Sequence, residues 1–129
     1  MIFRRQESFR YTFNTPIVCL FKIVKVDDSP LNSEFGEGQI IDISPYGLKM
    51  VSALNLSPSV KKIKIEVHFS IDNRSFEIPG IIQWQKKELL VNGYSYGIRL
   101  ESTEEIATEI IDTLKKHAER TLKTKNSNN

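Results

Sequence analysis

Between residues 62 and 71 apolar and polar side chains alternate without a break. Ile63, Ile65, Val67, Phe69 and Ile71 interleave with Lys62, Lys64, Glu66, His68 and Ser70. Period-two alternation places one side of a strand in a core and the other in water. His68 falls on the polar side and reads as a solvated strand histidine with no metal partner nearby. Upstream, Asn14-Thr15-Pro16 is a turn signal, and the β-branched and aromatic run Ile17 to Val26 predicts the first strand. A polar loop follows from Asp27 to Ser33. Gly36 and Gly38 introduce a second strand, Gln39 to Ile43, and Leu48 to Ala53 form a third. The alternating segment is the fourth, reached through an irregular stretch ending at Ser57-Pro58. Asp72-Asn73-Arg74 reads as a hairpin turn into a fifth strand, from Ser75 to about Lys86. There Phe76, Ile78, Gly80, Ile82 and Trp84 share one phase, so Trp84, which could stack on a base, reads first as a core residue. Pro79-Gly80 predicts a bend, a bulge or an exposed edge. Asn92-Gly93 is a strong turn dipeptide before a sixth strand, Tyr94 to Glu101, with Gly97 opposing Tyr94, Tyr96, Ile98 and Leu100.

The period then changes. Ile106, Ile110, Ile111, Leu114, Ala118 and Leu122 recur at helical spacing, and Ser102 and Glu105 have capping-box spacing. Acidic residues lie early in this segment and basic ones late, which suits the helix dipole. Six strands with no helix between them predict a mainly β fold, an antiparallel sheet closed into a small barrel with a C-terminal α-helix packed across it. The expected organisation is a flexible basic arm at residues 1–12, a barrel at 13–101, a helix at 102–123 and a disordered tail at 124–129.

With 129 residues, 40% hydrophobic and 26% charged, the chain suits one soluble domain. The longest apolar run, Pro16 to Phe21, is too short to cross a bilayer, and the first residues lack the apolar centre of a signal peptide. No membrane insertion is expected. The single cysteine, Cys19, excludes an internal disulfide, fits a reducing cytoplasm, and reads as a small buried hydrophobe rather than a nucleophile. A net charge of +2 is too small to indicate DNA or RNA. Its clusters are local: Arg4, Arg5 and Arg10 at one end, and Lys115, Lys116, Arg120, Lys123 and Lys125 at the other. There is no Cys/His pair, no clustered histidine set and no phosphate-cradling glycine loop, so neither catalytic residues, a metal nor a cofactor are assigned and a non-enzymatic role is expected.

The remaining chemistry gathers on Asp42-Ile43-Ser44-Pro45-Tyr46-Gly47, a tight connection between two strands. Asp42 can accept from N–H donors, and Ser44 can donate and accept. Gly47 supplies either a positive φ or a surface without a side chain. The same residue types also make a plain β-turn. Read together with Arg4-Arg5-Gln6-Glu7-Ser8-Phe9-Arg10, however, this D-x-S-x-x-G turn after the second strand resembles the PilZ family. These are bacterial domains that bind the second messenger cyclic di-GMP. Tyr94-Ser95-Tyr96-Gly97-Ile98-Arg99-Leu100 also resembles the family's last strand, and the resemblance covers about residues 4–117.

The resemblance implies a PilZ-type six-stranded antiparallel β-barrel whose arginine arm folds over the ligand while the turn contacts guanine. The implied ligand-binding residues are Arg5, Arg10, Asp42, Ser44 and Gly47, with Arg4 and Gly97 as further candidate contacts. Guanidinium suits such a ligand because it forks onto phosphate oxygens and pairs with guanine O6 and N7. The chain departs from the family's R-x-x-x-R in one respect. Gln6 stands four residues before Arg10, whereas Arg5 precedes it by five and Arg4 by six. In an extended arm a five-residue offset turns a side chain to the opposite side, and six restores it at greater reach. A one-residue bulge would bring Arg5 back. The first expectation is therefore a cytoplasmic receptor or adaptor for cyclic di-GMP that signals to an effector protein. The alternative is a degenerate PilZ scaffold that binds protein without nucleotide. A third reading, single-stranded nucleic acid bound by arginine and aromatics, requires Phe9, Tyr11 or Tyr46 to be exposed together beside the arm.

Overall fold

A computed structural model describes residues 9–58, 61–89 and 92–127, with side chains through Leu122. Seven strands and one helix follow in order: β1 (Tyr11–Val26), β2 (Ser29–Pro30), β3 (Gly36–Ser44), β4 (Gly47–Ser52), β5 (Ile63–Ile71), β6 (Arg74–Glu88), β7 (Gly93–Leu100) and α1 (Glu104–Ser127). The sheet order is β2-β1-β3-β4-β7-β6-β5, and an additional β1–β5 pairing joins the ends. The result is a closed, six-stranded antiparallel barrel with a two-residue extra strand, β2, paired to Lys25 and Val26. Closure gives each of the six barrel strands two partners.

The inward side of every barrel strand supplies the core. Ile63, Ile65, Val67, Phe69 and Ile71 of β5 are all buried, as their alternation predicts, and Phe21, Ile40, Met50, Ile78 and Tyr96 meet them. Cys19 is among these residues, and burial pushes its thiol up to about 12, as fits a small core hydrophobe. Ile110 and Leu114 of α1 complete the core.

Four sequence expectations are corrected. First, β1 starts at Tyr11 rather than Ile17. A register shift between Thr12 and Ile17 takes up Asn14-Thr15-Pro16, so the turn signal becomes a bulge inside one long strand. Second, Trp84 is 45% exposed and not in the core. The register advances from Ile82↔Ile98 to Trp84↔Gly97, and the extra residue on β6 turns Trp84 outward. Third, the helix cap is Thr103, whose Oγ1 accepts from Ile106 N at 3.1 Å. Ser102 instead donates its hydroxyl to Pro45 O at 2.8 Å. The helix also runs to Ser127, past its expected end at residue 123, and the last two positions of the expected tail lie outside the described residues. Fourth, His68 is not isolated on the polar side of β5. It stands between Glu66 and Glu77.

Helix, hairpin and first strand converge at one point. His117 Nδ1 lies 3.0 Å from Asp72 Oδ1 in the β5–β6 turn, and Arg120 reaches the other oxygen at 3.4 Å. The rings of Tyr11 and Phe13 meet His117 edge-on, at 5.6 and 5.7 Å. The segment between β4 and β5 is held differently. The Tyr96 hydroxyl, at the end of a fully buried ring, donates to Leu54 O and accepts from Leu56 N and Gln85 Nε2, both at 2.9 Å. Tyr96→Phe removes the donor to Leu54 O and the acceptor of Leu56 N in this half-buried segment. Urea denaturation should show a loss of about 1–3 kcal/mol with an unchanged m-value. A midpoint equal to wild type would show that the hydroxyl holds nothing.

Candidate functional site

The Asp42–Gly47 segment closes the β3–β4 hairpin, with Ser44 paired to Gly47 and Pro45-Tyr46 as the two-residue turn. Three bonds fix the turn to its surroundings. Ser44 Oγ donates to Gly47 O at 3.2 Å, Leu100 N donates to Tyr46 O at 2.9 Å, and Ser102 Oγ donates to Pro45 O. The turn is thus anchored to β7 and to the lead-in of α1. Gly47 does not have a positive φ. A Cβ there would lie 3.4 Å from Ile98 O and 3.8 Å from Arg10 Nη2. Of its two expected uses, the positive φ is not used, and the missing side chain leaves space beside the Arg10 guanidinium.

Asp42 pairs with Thr12 of β1 and with Lys49 of β4. Arg10, two residues before Thr12, forms an ion pair with Asp42 through Nη1 and Oδ1. The carboxylate is the more enclosed partner, 17% exposed against 51% for the arginine. The bulge in β1 makes this pairing possible, because it lets the ladder to β3 resume at Thr12.

From Asp42 the outer surface of the barrel continues as a cross-strand row. Asp42 is opposite Lys49, Lys49 opposite Gly97, and Gly97 opposite Trp84. Four strands at normal spacing make this row roughly 14 Å long. In the adjacent row, Gly47 is opposite Arg99. A Cβ on Gly97 would fall 2.0 Å from Trp84 Nε1, so the indole lies directly against the glycine backbone. Asp42, Lys49, Gly97, Trp84 and Arg99 line an open cavity of about 510 Å³, with Arg10, Asp42 and Tyr46 at one end and Trp84 at the other. Arg10, Lys49 and Arg99 against Asp42 alone leave it two positive charges in excess.

The cavity lining therefore joins three of the expected residues, Arg10, Asp42 and Gly97, and Gly47 lies beside it against Arg10. Ser44 is buried behind the turn and is bonded to the turn's own carbonyl, so it shapes the hairpin rather than the cavity wall. Arg4 and Arg5 lie outside the described residues. Lys49, Trp84 and Arg99 are new to the site. Lys49 and Arg99 could have been found from strand alternation, since each stands two residues from a motif glycine. Trp84 could not, because its phase is reset by a bulge. Phe9 and Tyr11 pack against the core, so the exposed aromatic group required for single-stranded nucleic acid is not formed.

No family model, no curated protein and no solved structure matches this chain. What the cavity can do is therefore argued from its own chemistry. It offers a carboxylate for N–H donors, three cations for phosphate oxygens and an aromatic face for a planar ring. Trp84 is the sole tryptophan, so its fluorescence reports on this cavity alone. Gly97→Ala should displace the indole into solvent and shift its emission to the red, with the far-UV circular dichroism unchanged. An unaltered emission maximum would contradict the Trp84–Gly97 contact.

Proposed function

We propose that the protein is a cyclic di-GMP receptor of the PilZ type, a binding module rather than an enzyme. One observation carries this reading above the others. Arg10 and Asp42, 32 residues apart in sequence, meet at one end of a cavity whose other end is an exposed tryptophan. A cyclic dinucleotide presents what this arrangement matches: two phosphates between two planar bases, one of which can donate N1–H and N2–H to Asp42. The two excess positive charges equal the ligand's two negative ones.

Ligand entry exchanges partners. Guanine takes Asp42 from Arg10, and a phosphate takes Arg10 from Asp42. An exchange of this kind yields little by itself, so the net affinity comes from the remaining contacts. Lys49 and Arg99 add charge-assisted bonds of about 1.5–3 kcal/mol each. Stacking on Trp84 adds about 1–3 kcal/mol. Micromolar binding corresponds to about 8 kcal/mol and is within reach of this set. Arg10 is followed at once by Tyr11 and Phe13, which touch His117 of α1. A change at Arg10 is thereby communicated to the helix, which gives an effector protein in the cytoplasm a surface to read.

Calorimetric titration with cyclic di-GMP, using GTP and cyclic di-AMP as controls, tests the reading. Selective micromolar or tighter binding is expected. Arg10→Ala and Asp42→Ala should abolish it or weaken it strongly, and Trp84→Ala and Arg99→Ala should each weaken it by about tenfold or more, with the fold intact. No binding to folded protein, or wild-type affinity in both Arg10→Ala and Asp42→Ala, would contradict it. The already satisfied Arg10–Asp42 pair favours the second reading in that event, a PilZ-like scaffold that binds protein only.

A further inference from the structure

On the opposite flank of the barrel, three metal-ligating side chains meet on the outer side of the β5–β6 hairpin. Glu66 and His68 are two residues apart on β5 and so point the same way. Glu77 of β6 is directly across from His68 in the ladder. His68 Nε2 lies 2.8 Å from Glu66 Oε1, and His68 Nδ1 lies 3.7 Å from Glu77 Oε2. One ligand atom from each of the three residues falls within 4.8 Å of the others. We propose that Glu66, His68 and Glu77 form a surface site for a borderline divalent cation, with Zn²⁺ as the type case.

The geometry supports this in three ways. Glu66 meets His68 at Nε2 and Glu77 meets it at Nδ1, so the ladder holds the three side chains together and only a side-chain rotation of Glu77 is needed to bring its carboxylate to the Nε2 side. Ligands at about 2.0–2.2 Å from zinc stand a little over 3 Å from each other, so the present separations need only a small closure. The edge of the Phe35 ring, 5.0 Å away, holds the imidazole, while the exposed Glu77 carboxylate is free to swing toward an ion held by His68 Nε2 and Glu66. One imidazole nitrogen and two carboxylates are a donor set that suits zinc, with the remaining position open to water.

One group opposes the ion. Lys22, across from Glu66 on β1, brings its Nζ to 4.0 Å from Glu66 Oε1 and lies over the Phe35 ring at 5.3 Å. Metal binding must displace this ammonium, and that gives the proposal a diagnostic variant.

Chelator-treated full-length protein titrated with ZnCl₂ alone, followed by calorimetry, is the test. One ion per chain at micromolar affinity is expected. His68→Ala and the isosteric Glu77→Gln should each weaken binding by about tenfold or more. Lys22→Ala should strengthen it, and His117→Ala should leave it unchanged. Circular dichroism confirms the fold of each variant. Absence of saturable binding, or wild-type affinity in His68→Ala, or loss of binding through His117→Ala, would overturn the site. The outcome is independent of any dinucleotide, because the titration contains none.

Discussion

β1 pairs with β3 along one edge and with β5 along the other, and at Cys19, Leu20 and Phe21 it does both at once. That double pairing closes the barrel, and the position of the Arg10–Trp84 cavity follows from it. To keep pairing with β3 as far as Ile43, the strand must extend to Tyr11, through a segment whose Pro16 has no N–H to give to a ladder. A bulge accommodates that segment. Beyond it, Thr12 is opposite Asp42, and Arg10 meets the carboxylate. Sheet closure and site assembly are thus one constraint. The variant most damaging to the cavity from a distance would alter the bulge rather than any residue that lines it.

The Arg10–Asp42 pair has two consequences. It neutralises Asp42, the more enclosed partner of the pair, which limits the cost of enclosing that carboxylate. It also makes the arm a competitor of any ligand, since the groups that would bind are already bound to each other. Among the contacts described, Lys49, Arg99 and Trp84 carry no such conflict, so under the proposed reading the net affinity rests on them. The turn beneath them is held by Ser44, Leu100 and Ser102 and resists rearrangement, whereas Arg10 sits just outside the barrel.

How much of this was legible in the sequence depended on whether local pattern and global packing agreed. The alternation of β5 was read correctly because every position obeys one period from Lys62 to Ile71. Cys19 was read correctly because its neighbours are apolar. For Trp84 local pattern and packing disagree, because alternation carries phase only until a bulge, and the bulge depends on β7, which no local window contains. Ser102 fits a capping box by spacing alone, yet Pro45 O, 57 residues away, claims its hydroxyl. Ser44 belongs to the recognisable turn motif, but it faces inward. Asp42 and Arg10 were found as motif members, while the geometry that makes them one site came only from register.

The central claim is that the Arg10–Asp42 end and the Trp84 end belong to one ligand site. Amide and indole nitrogen–proton correlation spectra, recorded during addition of cyclic di-GMP, address it most directly. The single indole resonance of Trp84 reports on one end of the cavity, the Gly97 amide on its floor and the Asp42 amide on the other end. The account predicts that all three shift together along one saturating curve, while resonances of the β5–β6 outer surface stay in place. Unchanged spectra, or shifts gathered on that other surface, would contradict it.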